Sequence, residues 1–162
     1  MTQRPVFLNA PPIRYLAAID SLGLLEQLYG TVFLPPSVVQ ELQSPQGAAP
    51  PVPVLEYDWI KLAVPRAEGA EEPGKILGPG TLEAFALARG EPDALLVLEG
   101  RPEREAARAR RLEATGVLGV LLRAHQDGLI PSVKALLPGL EEAGLPMSRK
   151  LTGGVLLLSG EI

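Results

Sequence analysis

Short apolar runs alternate along the chain with apolar residues at helical spacing. Strands are predicted at 5–8, 31–34, 59–64, 94–98 and 113–115. The run 94–98 is continuously apolar, which is typical of a strand covered on both faces in a parallel sheet. Helices are predicted from about 13, over 22–29, from 36, and over 81–89, 102–112, 116–126 and 131–143. This alternation predicts an α/β fold with three α/β/α layers around a central, mostly parallel sheet.

Two segments fit this alternation poorly. Prolines interrupt most of the stretch 43–79, and we expect a flexible loop around 66–76. The tail, 147–162, is compatible either with a helix that begins after Ser148 or with a strand over its apolar residues. No linker separates two units, so the chain is predicted to form a single domain over 1–162.

Residue counts exclude several kinds of chemistry. The chain has 162 residues, no cysteine and one histidine, His125, which excludes a disulfide, a thiolate metal site, a cysteine nucleophile and a histidine-rich zinc site. A bound metal would then be a hard cation with oxygen ligands, Mg²⁺ or Mn²⁺. The sequence has neither a long apolar run nor a signal peptide, so we expect a cytoplasmic protein. A single asparagine and abundant proline suggest either a thermophile or a GC-rich genome.

Four oxygen-bearing side chains are predicted at one edge of the sheet, where parallel strands end and sites form. Asn9 and Glu99 each follow a strand, and Glu41 and Glu83 lie near the first turns of helices that face this edge. Clustered carboxylates favour a neutralising cation, which can activate water for phosphodiester cleavage. Each residue also has a structural interpretation: the acids can stabilise helix N-termini or stay solvated, and Asn9 can cap a helix.

Arginines follow the most strand-like run of the chain. Arg101 is the first candidate for contact with a substrate phosphate, and Arg104, Arg108 and Arg111 recur at i, i+4 and i+7 on one helix face. They can contact the phosphate backbone of RNA, or they can form an ordinary solvated helix with the neighbouring glutamates. The net charge of −4 does not decide between the two, because a local patch governs binding.

Four stretches carry a more specific pattern. Their order and spacing resemble the PIN-like domain family, in particular a prokaryotic subfamily of unknown function related to toxin nucleases. The stretches contain Val6-Phe7-Leu8-Asn9-Ala10-Pro11, Phe33-Leu34-Pro35-Pro36-Ser37, Leu77-Gly78-Pro79-Gly80-Thr81-Leu82-Glu83 and Thr115-Gly116-Val117-Leu118-Gly119, the last continued by Gly128-Leu129-Ile130-Pro131.

The resemblance implies a PIN-like fold, a Mg²⁺ or Mn²⁺ cofactor and cleavage of single-stranded RNA. It also implies a toxin of a toxin–antitoxin pair, with a small antitoxin protein over the acidic cleft, and a homodimer. On this interpretation Glu41, Glu83 and Glu99 hold the metal with help from Asn9, and Arg101 and nearby arginines contact the substrate.

The chain departs from the family pattern at the site itself. Asn9 takes the place of an Asp or Asn, Gly80-Thr81 replaces Gly-Glu, and Glu99-Gly100 replaces Asp-Asp. A displacement of about 1 Å costs on the order of a hundredfold in rate. Two hypotheses follow: a weakened metal-dependent endoribonuclease, or a catalytically inactive PIN-like module that binds RNA or protein. A nucleotide-binding domain is a third, because Gly78-Pro79-Gly80 is glycine-rich, but it lacks the phosphate-loop pattern.

Overall fold

Five short parallel strands form a sheet in the computed structural model, which describes residues 4–67, 71, 74 and 76–162. Their order is β3-β2-β1-β4-β5, so β1 lies in the centre. Phe7 of β1 is in register with Phe33 on one side and Leu96 on the other. The strands are β1 (Val6–Leu8), β2 (Val32–Leu34), β3 (Ile60–Leu62), β4 (Leu95–Val97) and β5 (Ala114–Thr115).

Helices cover both faces of this sheet, as the predicted three-layer α/β/α fold requires. Alternate strand residues point to opposite faces. Val6 and Leu8 join a large apolar cluster, whereas Phe7 joins a smaller one with Phe85 and Ala107. The helices are α1 (Ala10–Ala18), α2 (Leu24–Tyr29), α3 (Pro36–Leu42), α4 (Pro79–Arg89), α5 (Arg101–Ala109), α6 (Val117–Gln126), α7 (Leu137–Glu142) and α8 (Arg149–Ser159), with 3-10 turns at Val54–Glu56 and Lys134–Leu136. The smaller cluster draws on α4 and α5, and the other helices pack on the opposite face.

Several helix boundaries differ from the prediction, among them the end of α5 at Ala109 rather than near residue 112. Helix α1 begins at Ala10 rather than near residue 13, because prolines are tolerated in a first turn, where the N–H has no intrahelical acceptor. Helix α4 begins at Pro79, so Thr81 lies inside the helix and does not cap it. The helix predicted over 131–143 is a 3-10 turn followed by α7, which has a proline at its start.

The tail forms a helix, which settles the choice that the sequence left open. The Ser148 Oγ accepts from the Leu151 N–H at 3.0 Å, and Gly160 ends α8 in a left-handed conformation. The Glu161 carboxylate then accepts from the N–H groups of Val133 (2.8 Å) and Lys134 (3.2 Å). The hydrogen bond from the Ser132 hydroxyl, followed by those from the Ser159 hydroxyl and from these two N–H groups, lowers the pKa of Glu161 to about 2.

Most of the predicted flexible loop, 66–76, lies outside the described residues, so its flexibility stays a prediction. Glu71, within that range, forms ion pairs with Arg89 and Arg110, at 2.8 Å and 2.7 Å. No described helix is long and apolar enough to cross a membrane.

Two glycines should respond in opposite directions to substitution by alanine. A Cβ on Gly80 of α4 would stand 2.7 Å from Cγ2 of buried Val38, so Gly80→Ala should lower the free energy of unfolding by about 1–3 kcal/mol. A Cβ on Gly153 of α8 meets nothing within 4 Å, so Gly153→Ala should raise it by about 1 kcal/mol. Urea denaturation measures both, and an unchanged stability of Gly80→Ala would contradict the close α3–α4 approach.

Candidate functional site

Asn9 joins three elements at the carboxyl edge of the sheet. Its side chain is buried, and its Nδ2 donates to the Thr81 Oγ1 of α4 at 3.3 Å. Its Oδ1 accepts from the Glu99 N–H at 3.4 Å, and its own backbone N–H donates to the Val97 carbonyl at 3.3 Å. The amide therefore serves as donor and acceptor at once, linking the ends of β1 and β4 to α4.

Glu99 lies beside Asn9, but both of its carboxylate oxygens accept hydrogen bonds from the protein. Oε1 accepts from the Val117 N–H at 2.7 Å, and Oε2 accepts from Nη1 of Arg104 at 3.2 Å. Helix α6 begins after Gly116, which has no side chain to cap it. Glu99 thus acts as the N-terminal cap of α6, and its side chain is only 13 % exposed.

Glu83 and Glu41 point elsewhere. The Glu83 carboxylate accepts from the Ser37 N–H at 3.0 Å and from the Ser37 hydroxyl, and so caps the first turn of α3, which starts at a proline. Glu41 is exposed, and its main-chain carbonyl accepts from Arg14 at 2.8 Å. The structure brings Asn9 and Glu99 into hydrogen-bond contact, whereas the side-chain partner of Glu83 is Ser37.

The predicted convergence of Asn9, Glu41, Glu83 and Glu99 on one cation stays a prediction. Among the described residues, no three His, Asp or Glu side chains lie close enough together to hold a metal ion. N–H donors at two helix N-termini bind the carboxylates of Glu83 and Glu99, and a cation would compete with these donors. The centre of the edge is instead the neutral, buried pair of Asn9 and Thr81.

Glu103 is an acid near this edge that the sequence did not single out. Gly100 has φ +111°, a conformation that favours glycine, and a Cβ built there would lie 1.8 Å from Oε2 of Glu103. The Glu103 carboxylate thus occupies the space that a side chain at position 100 would need. The helical turn after Gly100 brings the Glu103 carboxylate to this position. The sequence does not reveal the geometry of that turn.

Arginines of α5 line a cavity of about 570 Å³ next to the same edge. Arg104 connects the two regions, because it contacts Glu99 and also lines the cavity. Arg104 and Arg108 lie within α5, whereas Arg111 lies beyond the end of the helix at Ala109, so the three arginines do not share one helix face as predicted, although all three line the cavity. The charged residues of the lining are Arg101, Arg104, Arg108, Arg111, Glu105 and Glu113.

Both glutamates of this cavity are paired. Glu105 pairs with Arg101 at 2.9 Å, and both side chains are well exposed. Glu113 pairs with Arg4 at 2.8 Å, and the hydrogen bond from Arg4 lowers the pKa of Glu113. In the part of the chain that the structure describes, neither Arg108 nor Arg111 takes part in an ion pair. The cavity therefore has two guanidinium groups whose charge is not balanced within that part of the chain.

The family of the chain follows from its similarity to known proteins. A sequence model described as a PIN domain matches residues 5–161. The chain belongs to the PIN-domain family. No curated protein matches the chain.

The PIN fold is a nuclease-type fold, and PIN domains commonly use divalent metal ions. The residues at the strand ends of this PIN domain do not fit such a centre. Asn9 contributes no charge, and the oxygens of Glu99 are already bound to the Val117 N–H and to Arg104. A hard cation would have to displace the donors that bind the Glu99 carboxylate, among which is also the Gly100 N–H at 3.4 Å.

Alanine substitutions distinguish the two glutamates that cap helices, Glu83 and Glu99, from the exposed Glu41. Glu99→Ala and Glu83→Ala should each lower the free energy of unfolding by about 1–2 kcal/mol, because each leaves the first turn of a helix without its acceptor. Glu41→Ala should stay within about 0.5 kcal/mol, because the side chain is exposed. Thermal and urea unfolding measure the three variants in parallel. Equal stabilities of all three would show that the capping contacts contribute nothing.

Proposed function

We propose that this PIN-domain protein binds single-stranded RNA along the arginine-lined cavity of α5 and has lost metal-dependent cleavage. The observation that carries the proposal is the pairing pattern: the carboxylates near the strand ends are bound to N–H donors, while Arg108 and Arg111 have no counter-charge among the described residues. The choice of RNA follows the sequence resemblance.

The geometry of α5 suits a phosphate backbone. Arg101 and Arg108 are seven residues apart, roughly 10 Å along a helix axis, so more than one phosphate can be contacted at a time. Guanidinium groups bind phosphate oxygens through two parallel hydrogen bonds. The exposed Arg101–Glu105 pair contributes little to stability, so a phosphate can replace Glu105 at small cost.

Arg111 allows a test that removes charge without harming the backbone. It has φ +59°, a left-handed conformation that glycine adopts more easily than arginine. The double variant Arg108→Ala, Arg111→Gly should keep its fold and weaken binding of a single-stranded RNA oligonucleotide by about tenfold or more at low salt. The slope of log K against log salt concentration should become shallower by about 0.7 for each phosphate that the variant no longer binds. Fluorescence polarisation over a range of salt concentrations measures both quantities.

The matched control is Arg149→Ala, which removes an exposed arginine at the start of α8, far along the chain from the cavity. Its affinity for the RNA should equal that of the wild type. Equal affinities of the double variant and the control would refute the α5 site. A lower affinity of both variants would show that the RNA binds through the general positive charge of the surface rather than through the α5 site.

A second candidate function is a Mg²⁺- or Mn²⁺-dependent endoribonuclease that acts as the toxin of a toxin–antitoxin pair. The position of Glu103 favours it, because this carboxylate occupies the space beside Gly100, the residue that follows Glu99. A small antitoxin protein and a homodimer belong to this candidate, and both rest on the sequence resemblance.

Cleavage assays distinguish the two candidates. Labelled single-stranded RNA is incubated with Mn²⁺ and wild-type protein, with Glu99→Gln, Glu103→Gln and Glu83→Gln variants and a chelator as controls. The first proposal expects no cleavage by the wild type above the Glu99→Gln background, and no Mn²⁺ binding by calorimetry at millimolar metal. Mn²⁺-dependent cleavage that disappears in Glu99→Gln and Glu103→Gln would overturn it in favour of the nuclease.

A further inference from the structure

A second cavity, also of about 570 Å³, lies between α1, the proline-rich segment after α3 and the end of α7. Its size is within the range of pockets that bind small molecules. It shares no lining residue with the arginine cavity of α5. Much of its wall is apolar or aromatic, with Pro11, Ala17, Pro51 and Tyr57 among the residues that line it.

Arg14 of α1 lines the same cavity and is 8 % exposed. Its guanidinium donates to three main-chain carbonyls: Glu41 at 2.8 Å, Ser44 at 2.9 Å and Pro50 at 3.2 Å. Its Nε is buried and has no acceptor within the described parts of the chain. No carboxylate of those parts lies within ion-pair distance of it. The fold thus buries a cation whose hydrogen-bond partners in the described chain are all neutral.

Such an arrangement costs free energy unless an anion balances it. The buried charge loses its hydration, and carbonyl dipoles recover only part of that loss. Three carbonyl contacts explain why Arg14 holds the segment after α3 in place, but a neutral donor would make the same kind of contact. A single anion seated in the adjoining cavity would account for both the charge and the empty volume.

We infer that this cavity binds a small organic acid, whose single carboxylate pairs with Arg14 and whose apolar body packs against the prolines and tyrosines. A carboxylate matches a guanidinium in charge and in shape. Glu142 also lines the cavity and is exposed, so a ligand with two or more negative charges would be repelled. The apolar wall favours an aromatic or aliphatic monocarboxylate over a sugar or a phosphate ester.

Calorimetry with matched ligands tests the inference. 3-Phenylpropanoate should bind, and it should bind at least about tenfold more tightly than 3-phenylpropanamide, which has the same body without the charge. Phenyl phosphate should bind more weakly than the acid. A short peptide that ends in phenylalanine shows whether the carboxylate belongs to a peptide C-terminus or to a free acid, and its amidated form is the control. Tighter binding of the peptide than of 3-phenylpropanoate would assign the site to a peptide C-terminus. Weaker binding of the peptide would assign it to a free acid.

Two variants locate the binding. Ala18→Leu adds bulk to a cavity-lining residue that is already exposed, so the fold should hold and the acid should lose at least about tenfold in affinity. Arg14→Lys keeps the positive charge but removes the planar guanidinium group. It should therefore reduce the difference in affinity between the acid and the amide. Equal binding of acid and amide, unchanged binding in Ala18→Leu, or no binding of any carboxylate at millimolar concentration would each overturn the inference. The affinity of Ala18→Leu for RNA should equal that of the wild type. A failure of acid binding is therefore distinguishable from a failure of the proposed RNA binding.

Discussion

Glutamates from distant parts of the chain cap the first turns of three helical segments. Helix α3 starts at a proline, α6 starts after Gly116, and neither has a capping side chain of its own. Glu83 and Glu99 supply the missing acceptors. Glu161 does the same for the 3-10 turn after Val133. Because each contact joins segments that are far apart in sequence, these carboxylates set the positions of helices against the sheet.

This use of carboxylates explains the character of the candidate site. An acid that accepts from the N–H groups of a helix lowers its own energy there, and it is less available to a cation. The protein has the PIN architecture, including the contact between Asn9 and Glu99 at the strand ends, and among the arginines that line the α5 cavity Arg108 and Arg111 form no ion pair within the described residues. On the proposed function, the same fold would keep a surface for a polyanion without a centre that cleaves it.

The sequence was sufficient to predict the parallel α/β sheet and the place of Asn9 and Glu99 at strand ends, because both follow from local apolar patterns and from a general rule about sheet edges. It extended the α5 helix as far as Arg111, which the structure places after the end of that helix at Ala109. It could not predict that Thr81 would bind Asn9, or that Glu83 would turn to Ser37, since these partners lie 72 and 46 residues apart and meet only through tertiary packing. The position of the Glu103 carboxylate over Gly100 could not be predicted either, because it depends on how the chain turns into α5.

The attachment of α8 has a consequence for the response of the protein to acid. Hydrogen bonds from the Ser132 hydroxyl and from the N–H groups of Val133 and Lys134 lower the pKa of the Glu161 carboxyl to about 2. Because the pKa in the folded protein lies below its ordinary value, the contribution of this carboxylate to stability is present above that ordinary value and is lost only as the pH falls toward 2. The contacts between Glu161 and the turn at Val133 should therefore persist at mildly acidic pH.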